Sequence, residues 1–184
     1  TFLNSAQAML IGVGAAVLAF KLLVLRNPAW HGRRLRAATQ NDLVRLTRRE
    51  LRGAETWFGG RMADRLLQLA RHHSALPEQD RSRWDDGVHG LDIGDELLHL
   101  RHCLAVAQAP VAAAERHYLQ QLEAVLARGP AAGRGQRLDQ ASEEFIKALQ
   151  SQPPSDALRL AVGAVLQLQR SWSKWCRRQE EIHG

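Results

Sequence analysis

The sequence predicts an all-α protein in which one transmembrane helix is followed by a cytoplasmic helical bundle. Three observations carry this reading. The first twenty residues, Thr1 to Phe20, hold no charge, and the charges that follow are Lys21, Arg26, Arg33, Arg34 and Arg36. Beyond them, apolar residues recur at helical spacing between punctuating prolines and glycines. Val, Ile and Thr nowhere cluster in the alternation that strands require.

At about 1.5 Å rise per residue, the uncharged run spans roughly 30 Å, the thickness of a bilayer's hydrocarbon core. We expect a spanning helix within residues 1–26, running from Phe2 to Leu25, with Lys21 near its lower end where the side chain reaches the headgroups. The arginines that follow orient it, because short loops rich in Lys and Arg stay in the cytoplasm, and everything after Arg26 is expected there. A signal peptide has its basic residues before the apolar run, the opposite order. A buried helix of a soluble protein needs a polar face, which Asn4, Ser5 and Gln7 supply only at the start. Because the chain begins at Thr1, we expect it to be the tail of a longer protein, starting just before the last transmembrane helix. Ala8, Gly12 and Ala16 fall four residues apart, a spacing that lets neighbouring helices approach closely in lipid. No ionisable residue sits in the midplane, so this segment offers neither a proton relay nor a substrate counter-ion.

Residues 27–184 are long enough for one domain with its own core. Pro28 suits the first turn of a helix, and Leu35, Leu43, Leu46 and Leu51 mark its apolar positions as far as Arg52, with Gly53 ending or bending it. Ala54 to His73 forms a second helix carrying Trp57, Phe58, Met62, Leu66, Leu67 and Leu69, interrupted at Gly59 and Gly60. Ser74 to Gly90, with Pro77 and mixed charges, reads as a turn region. A third helix runs from Leu91 to Ala107 and a fourth from Val111 to Arg128, opened by Pro110. The Gly129 to Gly135 stretch is a flexible connection. Leu138 to Gln150 and Ser155 to Glu181 complete the bundle, separated by Pro153 and Pro154. Trp172 and Trp175, beside Lys174, Arg177 and Arg178, suit either a membrane surface or a core; the strong apolar face of the same helix favours the core.

The charge is uneven. Between residues 21 and 71, twelve Lys and Arg stand against four Asp and Glu, while the remainder of the chain is slightly acidic. A basic strip beside a spanning helix is explained by topology and anionic headgroups, and no stacking platform or recognition motif for nucleic acid accompanies it. Cys103 and Cys176 read as free thiols of a cytoplasmic domain.

Chemistry-bearing constellations are weak. His99, His102 and Cys103 share a helix face at i, i+3 and i+4, but a fourth zinc ligand is not evident and Cys103 fits an interior position. His72 and His73 point in different directions. Asp85, Asp86, Asp92, Asp95 and Glu96 lack metal-loop spacing and read as a solvated loop and helix start. The glycines near Gly133 lack the lysine and serine of a phosphate loop. No nucleophile has a matched base. We therefore assign no catalytic, cofactor-binding or metal residues and expect no cofactor.

The start of the chain, Phe2-Leu3-Asn4-Ser5 through Leu10-Ile11-Gly12-Val13 to Ala19-Phe20-Lys21-Leu22-Leu23, resembles the final transmembrane helix of the fusaric acid resistance family of efflux proteins. The arginine-rich helix that follows, then Trp57-Phe58 and Arg61-Met62-Ala63-Asp64-Arg65-Leu66, resembles that family's cytoplasmic region, as do Leu91-Asp92-Ile93-Gly94, Leu97-Leu98 and Leu100-Arg101. The likeness covers most of residues 1–108 and fades beyond. It implies an inner-membrane transporter subunit of Gram-negative bacteria that exports aromatic carboxylic acids. It also implies partnership with a periplasmic membrane-fusion adaptor and with the remaining transmembrane helices of the same transporter, and it leaves a homo-oligomer open. Asp64 and Arg65 belong to the resembling motif; we read them as structural charges, ion-paired with neighbours such as Arg61. The rival reading is a membrane-anchored helical scaffold that binds a protein partner without transport. A soluble helical enzyme or metal protein would need residues 1–26 buried in a water-soluble core.

Overall fold

The computed structural model describes residues 13–14, 28–73, 83–107, 111–131 and 135–183. They hold six helices: α1 (Pro28–Arg48), α2 (Ala54–His73), α3 (Arg83–Ala107), α4 (Ala112–Arg128), α5 (Gly135–Gln150) and α6 (Asp156–His183). No strand occurs among the described residues. Of the segment expected to span the membrane, only Val13 and Gly14 are described, both helical and exposed, and Ala8, Gly12 and Ala16 lie outside the described residues. Among the described residues no helix is long and apolar enough to cross a membrane.

The helices pack in a closed circuit: α1 against α3, α3 against α6, α6 against α5, α5 against α4, and α4 back against α1. The α3–α6 contact is the most extensive, and α2 joins the circuit by packing on both α1 and α3. One continuous core fills it. Each helix contributes buried residues at three- and four-residue spacing, the pattern that hides one face of a 3.6-residue turn. Examples are Leu43 and Leu46 on α1, Phe58 and Met62 on α2, and Ile93, Leu97, Leu100 and Leu104 on α3. On α6 the buried row runs from Leu158 through Ala161, Val165 and Leu168 to Trp172 and Trp175. The two tryptophans are core residues that meet edge to face at 5.8 Å. Tyr118 of α4 stacks on Phe145 of α5 at 4.7 Å and 11°.

The helix ends follow from local chemistry. α1 stops at Arg48, four residues before the expected Arg52, and the chain turns through Gly53 at φ +71°, where a side chain would be strained. α2 matches its expected limits and runs unbroken through Gly59 and Gly60. α6 is capped at its start by the Ser155 hydroxyl, which accepts a hydrogen bond from the Leu158 N–H at 3.2 Å.

α3 begins at Arg83, eight residues before the expected Leu91, so the segment read as a turn up to Gly90 is partly helix. The glycine that suggested a break is there for packing. A Cβ on Gly90 would lie 2.4 Å from the Thr39 methyl of α1, and one on Gly94 would lie 2.0 Å from the Phe58 ring of α2. These two glycines, one turn apart, let α3 settle against both neighbours.

Candidate functional site

The charged cluster at the junction of α1 and α2 is the most built feature of the described residues. Asp42 faces inward from α1, between the core positions Thr39 and Leu46, and is 1% exposed. A lone carboxylate there is costly unless it is paired. Three arginines meet it. Arg65 of α2, itself 6% exposed, donates from Nη2 to Asp42 Oδ2. Arg61, one turn earlier, donates from Nε to the same oxygen at 2.7 Å. Arg45 stands 3.9 Å from the other oxygen. Arg65 also donates to the Thr39 hydroxyl at 3.3 Å, and that hydroxyl donates to the Leu35 carbonyl at 3.0 Å. Nearby, the guanidiniums of Arg49 and Arg61 lie 4.7 and 5.6 Å from the Trp57 ring centre, within cation–π range.

The site residues Asp64 and Arg65 therefore have different surroundings. Arg65 is buried against Asp42, whereas Asp64, the next position around the helix, is exposed. Arg61 and Arg65 converge on a carboxylate from another helix. The signal for Asp42 lay in the sequence as an acid on the apolar face of an otherwise basic helix, bracketed by Thr39, Leu43 and Leu46.

Two side chains cap helix ends from neighbouring helices. Arg101 of α3 donates from Nη1 to the carbonyls of Leu46 (2.9 Å) and Arg49 (2.6 Å), serving acceptors at the end of α1 that have no intrahelical donor. Burial pulls the Arg101 pKa down against the opposing pull of Glu115, and burial likewise lifts Glu115 against the pull of Arg101. Gln40 of α1 donates to the Ala127 carbonyl at the end of α4, at 2.9 Å. A Cβ on Gly129, at φ +74°, would come within 3.0 Å of that same amide. Arg48 grips Glu123 of α4 with two hydrogen bonds, one of 2.6 Å from Nε. The bond to Arg48 holds Glu123 below the usual glutamate range.

A shallow pocket on the α2–α3 surface is lined by Glu55, Asp95, Leu98, His99 and His102. His102 Nε2 lies 3.1 Å from Glu55, and His99 Nε2 lies 3.7 Å from the Cys103 sulfur. Burial, then the neighbouring Asp92 and Glu55, raise the Asp95 pKa; burial raises Glu96 and Cys103. Among the described residues no group of three His, Cys, Asp or Glu side chains could hold a metal ion. A second groove, between the end of α5 and the start of α6, is lined by Leu149, Pro154, Leu158, Arg159 and Val162.

Fold and site thus define an all-α bundle organised by structural ion pairs between helices. The model of the fusaric acid resistance protein family matches residues 1–178, and the chain belongs to that family. The match runs past the residues 1–108 that carry the resemblance in the sequence and takes in α4, α5 and most of α6. Neither a curated protein nor a solved structure matches the chain. Membership gives the chain a membrane, efflux-related context, which is consistent with a role that is not enzymatic.

Proposed function

We propose that this chain is the C-terminal part of an inner-membrane efflux subunit that exports aromatic carboxylic acids, similar to the p-hydroxybenzoic acid efflux pump subunit, or related toxic compounds. The observation that carries the reading is the family match across residues 1–178. It is supported by the uncharged run Thr1 to Phe20 and the arginines behind it, which suit a last spanning helix with its domain on the cytoplasmic side. In this reading residues 1–26 cross the bilayer, packing through Ala8, Gly12 and Ala16 on the other helices of the transporter, and residues 27–184 form the cytoplasmic domain. A periplasmic membrane-fusion adaptor completes the export path. The domain's task is assembly or regulation of the pump: its ion pairs join helix to helix, and the substrate path belongs to the membrane part.

The test is export from cells. Loss of the full-length protein should raise cellular retention of a labelled aromatic acid such as p-hydroxybenzoate, and re-expression should restore export. Re-expression lacking residues 27–184 should restore neither export nor normal amounts of assembled protein. Unchanged retention of a panel of aromatic acids in the deletion strain would overturn the substrate class. A full-length protein that fractionates with the cytosol would overturn the topology.

A further inference from the structure

Contacts between helices fix the polarity of the bundle. α3 runs parallel to α1: its Gly90 lies against Thr39, and its Arg101 reaches the carbonyls of Leu46 and Arg49. α4 runs the opposite way, with Glu123 beside Arg48 and the Ala127 carbonyl beside Gln40, so its last turn points back towards the start of α1. α5 departs from that end and α6 returns to it, with Gln169 donating to Asp139, near the beginning of α5, at 2.6 Å. From Gln169 the helix continues to His183, about 21 Å further at 1.5 Å per residue. The C-terminal half of α6 therefore lies at the end of the bundle where α1 begins.

That half of α6 turns one sign of charge outward. Arg170, Lys174 and Arg177 stand at i, i+4 and i+7 on one face and are exposed, while Ser171, Trp172, Trp175 and Cys176 between them are buried. Between Asp156 and Glu180 the helix has no acidic residue. Among the described residues no ion pair engages any of the three cations. Arg34 and Arg36, in the first half of α1, and the exposed Arg137, in the first turn of α5, belong to the same end.

We propose that the C-terminal half of α6 is a second membrane-facing surface, on which Arg170, Lys174 and Arg177 meet the anionic lipid headgroups of the cytoplasmic leaflet. The inference rests on the proposed topology, in which the uncharged run enters the bilayer just before α1 and the end of the bundle where α1 begins faces the membrane. Charge complementarity singles out the headgroups, because they are the anionic surface which that topology sets against this end. The negative potential of the leaflet attracts basic side chains within a Debye length, about 8 Å in physiological salt, and the long stems of Arg and Lys extend their reach. Trp172 and Trp175 are turned into the core, so the contact is electrostatic, without insertion of rings into the bilayer, and is weakened by salt. The juxtamembrane arginines of α1 thus gain a partner patch from the far end of the sequence, and the two together set how the bundle stands on the membrane.

The test is energy transfer from a dye on the intact chain to an acceptor on lipid headgroups, in vesicles of phosphatidylcholine with and without phosphatidylglycerol. The dye is placed at Ser173→Cys, beside Lys174, or at Ser151→Cys, at the other end of α6; the native Cys103 and Cys176 are buried. Adding phosphatidylglycerol should raise transfer at Ser173→Cys and not at Ser151→Cys, and high salt should cancel the rise. Replacing Arg170, Lys174 and Arg177 together by Gln should lower the ratio of docked to undocked chains by on the order of tenfold. Arg170→Lys with Arg177→Lys keeps the charge and should keep the rise, which separates charge from folding damage. No rise, an equal rise at both positions, or a rise that survives the three glutamines would overturn the proposal. So would capture of RNA or an acidic protein by the wild-type face in place of the rise. Retention on phosphatidylcholine vesicles in high salt reads the spanning segment separately. A chain retained there without a rise in phosphatidylglycerol overturns the α6 surface and keeps the topology, whereas a chain that leaves those vesicles overturns both.

Discussion

The α1–α2–α3 side of the bundle and the α4–α5–α6 side are held by different chemistry. On the first, a buried carboxylate gathers three arginines, Arg101 crosses to the end of α1, and two glycines admit α3 against Thr39 and Phe58. On the second, rings and aliphatic side chains fill the space: Tyr118 on Phe145, Trp172 on Trp175, and the leucine and alanine row of α6. Apolar burial supplies driving force but tolerates repacking, whereas a buried ion pair adds little net stability and penalises every arrangement that separates its members. The side carrying the family motif around Arg61 and Arg65 is thus the one with a fixed helix register.

The contrast can be broken at either end. Trp175→Ala, on the apolar side, should cost about 4 kcal/mol in urea unfolding, since it removes the contacts of a side chain with no exposed surface and leaves a cavity. Asp42→Asn should cost about 3 kcal/mol by leaving Arg65 buried without its counter-charge. Replacing both members, as Asp42→Leu with Arg65→Met, should recover most of that loss, a rescue that no second change offers to Trp175→Ala. Gly94→Ala should cost about 2 kcal/mol, because the Phe58 ring it would strike is itself fully buried.

Smaller effects separate the two kinds of surface charge. Glu123 is depressed in the folded state, so its pairing with Arg48 contributes above the ordinary glutamate value of 4.5 and is lost as pH falls through the lower folded value. A Glu123→Gln variant should flatten the acid limb of a stability–pH profile. Asp95 has the opposite sign: its folded pKa is raised, so ionisation is disfavoured in the folded chain. Asp95→Asn should stabilise at neutral pH by on the order of 0.5 kcal/mol after solvent screening, and the gain should vanish below the ordinary aspartate value of 3.8.

Among the described residues helical periodicity was enough to find all six helices, and α2 to its terminal residues. It was least informative at glycine. Gly53 marks a true turn, but Gly59, Gly60, Gly90 and Gly94 lie inside helices; at Gly90 and Gly94 the small residue is required by Thr39 and Phe58, neighbours the sequence does not name. The same holds for charge. Asp64 and Arg65 were read as charges paired with neighbours such as Arg61; that Arg65 meets Asp42 was not legible, since they lie on different helices and only packing brings them together. Arg48 with Glu123 and Arg101 with the end of α1 are long-range pairs of the same kind. Trp172 and Trp175 were legible as core because their helix already carries an apolar row.

The dominance of the α3–α6 contact has a kinetic consequence. These helices are separated by α4 and α5, so the most extensive helix contact among the described residues closes only after both have been synthesised. Contacts distant in sequence form slowly, and a nascent chain emerges residue by residue. Until α6 leaves the ribosome, α3 lacks its most extensive partner, so a chain stalled or truncated before Asp156 displays apolar surface to chaperones and proteases. Cellular quality control of this bundle therefore turns on the arrival of α6.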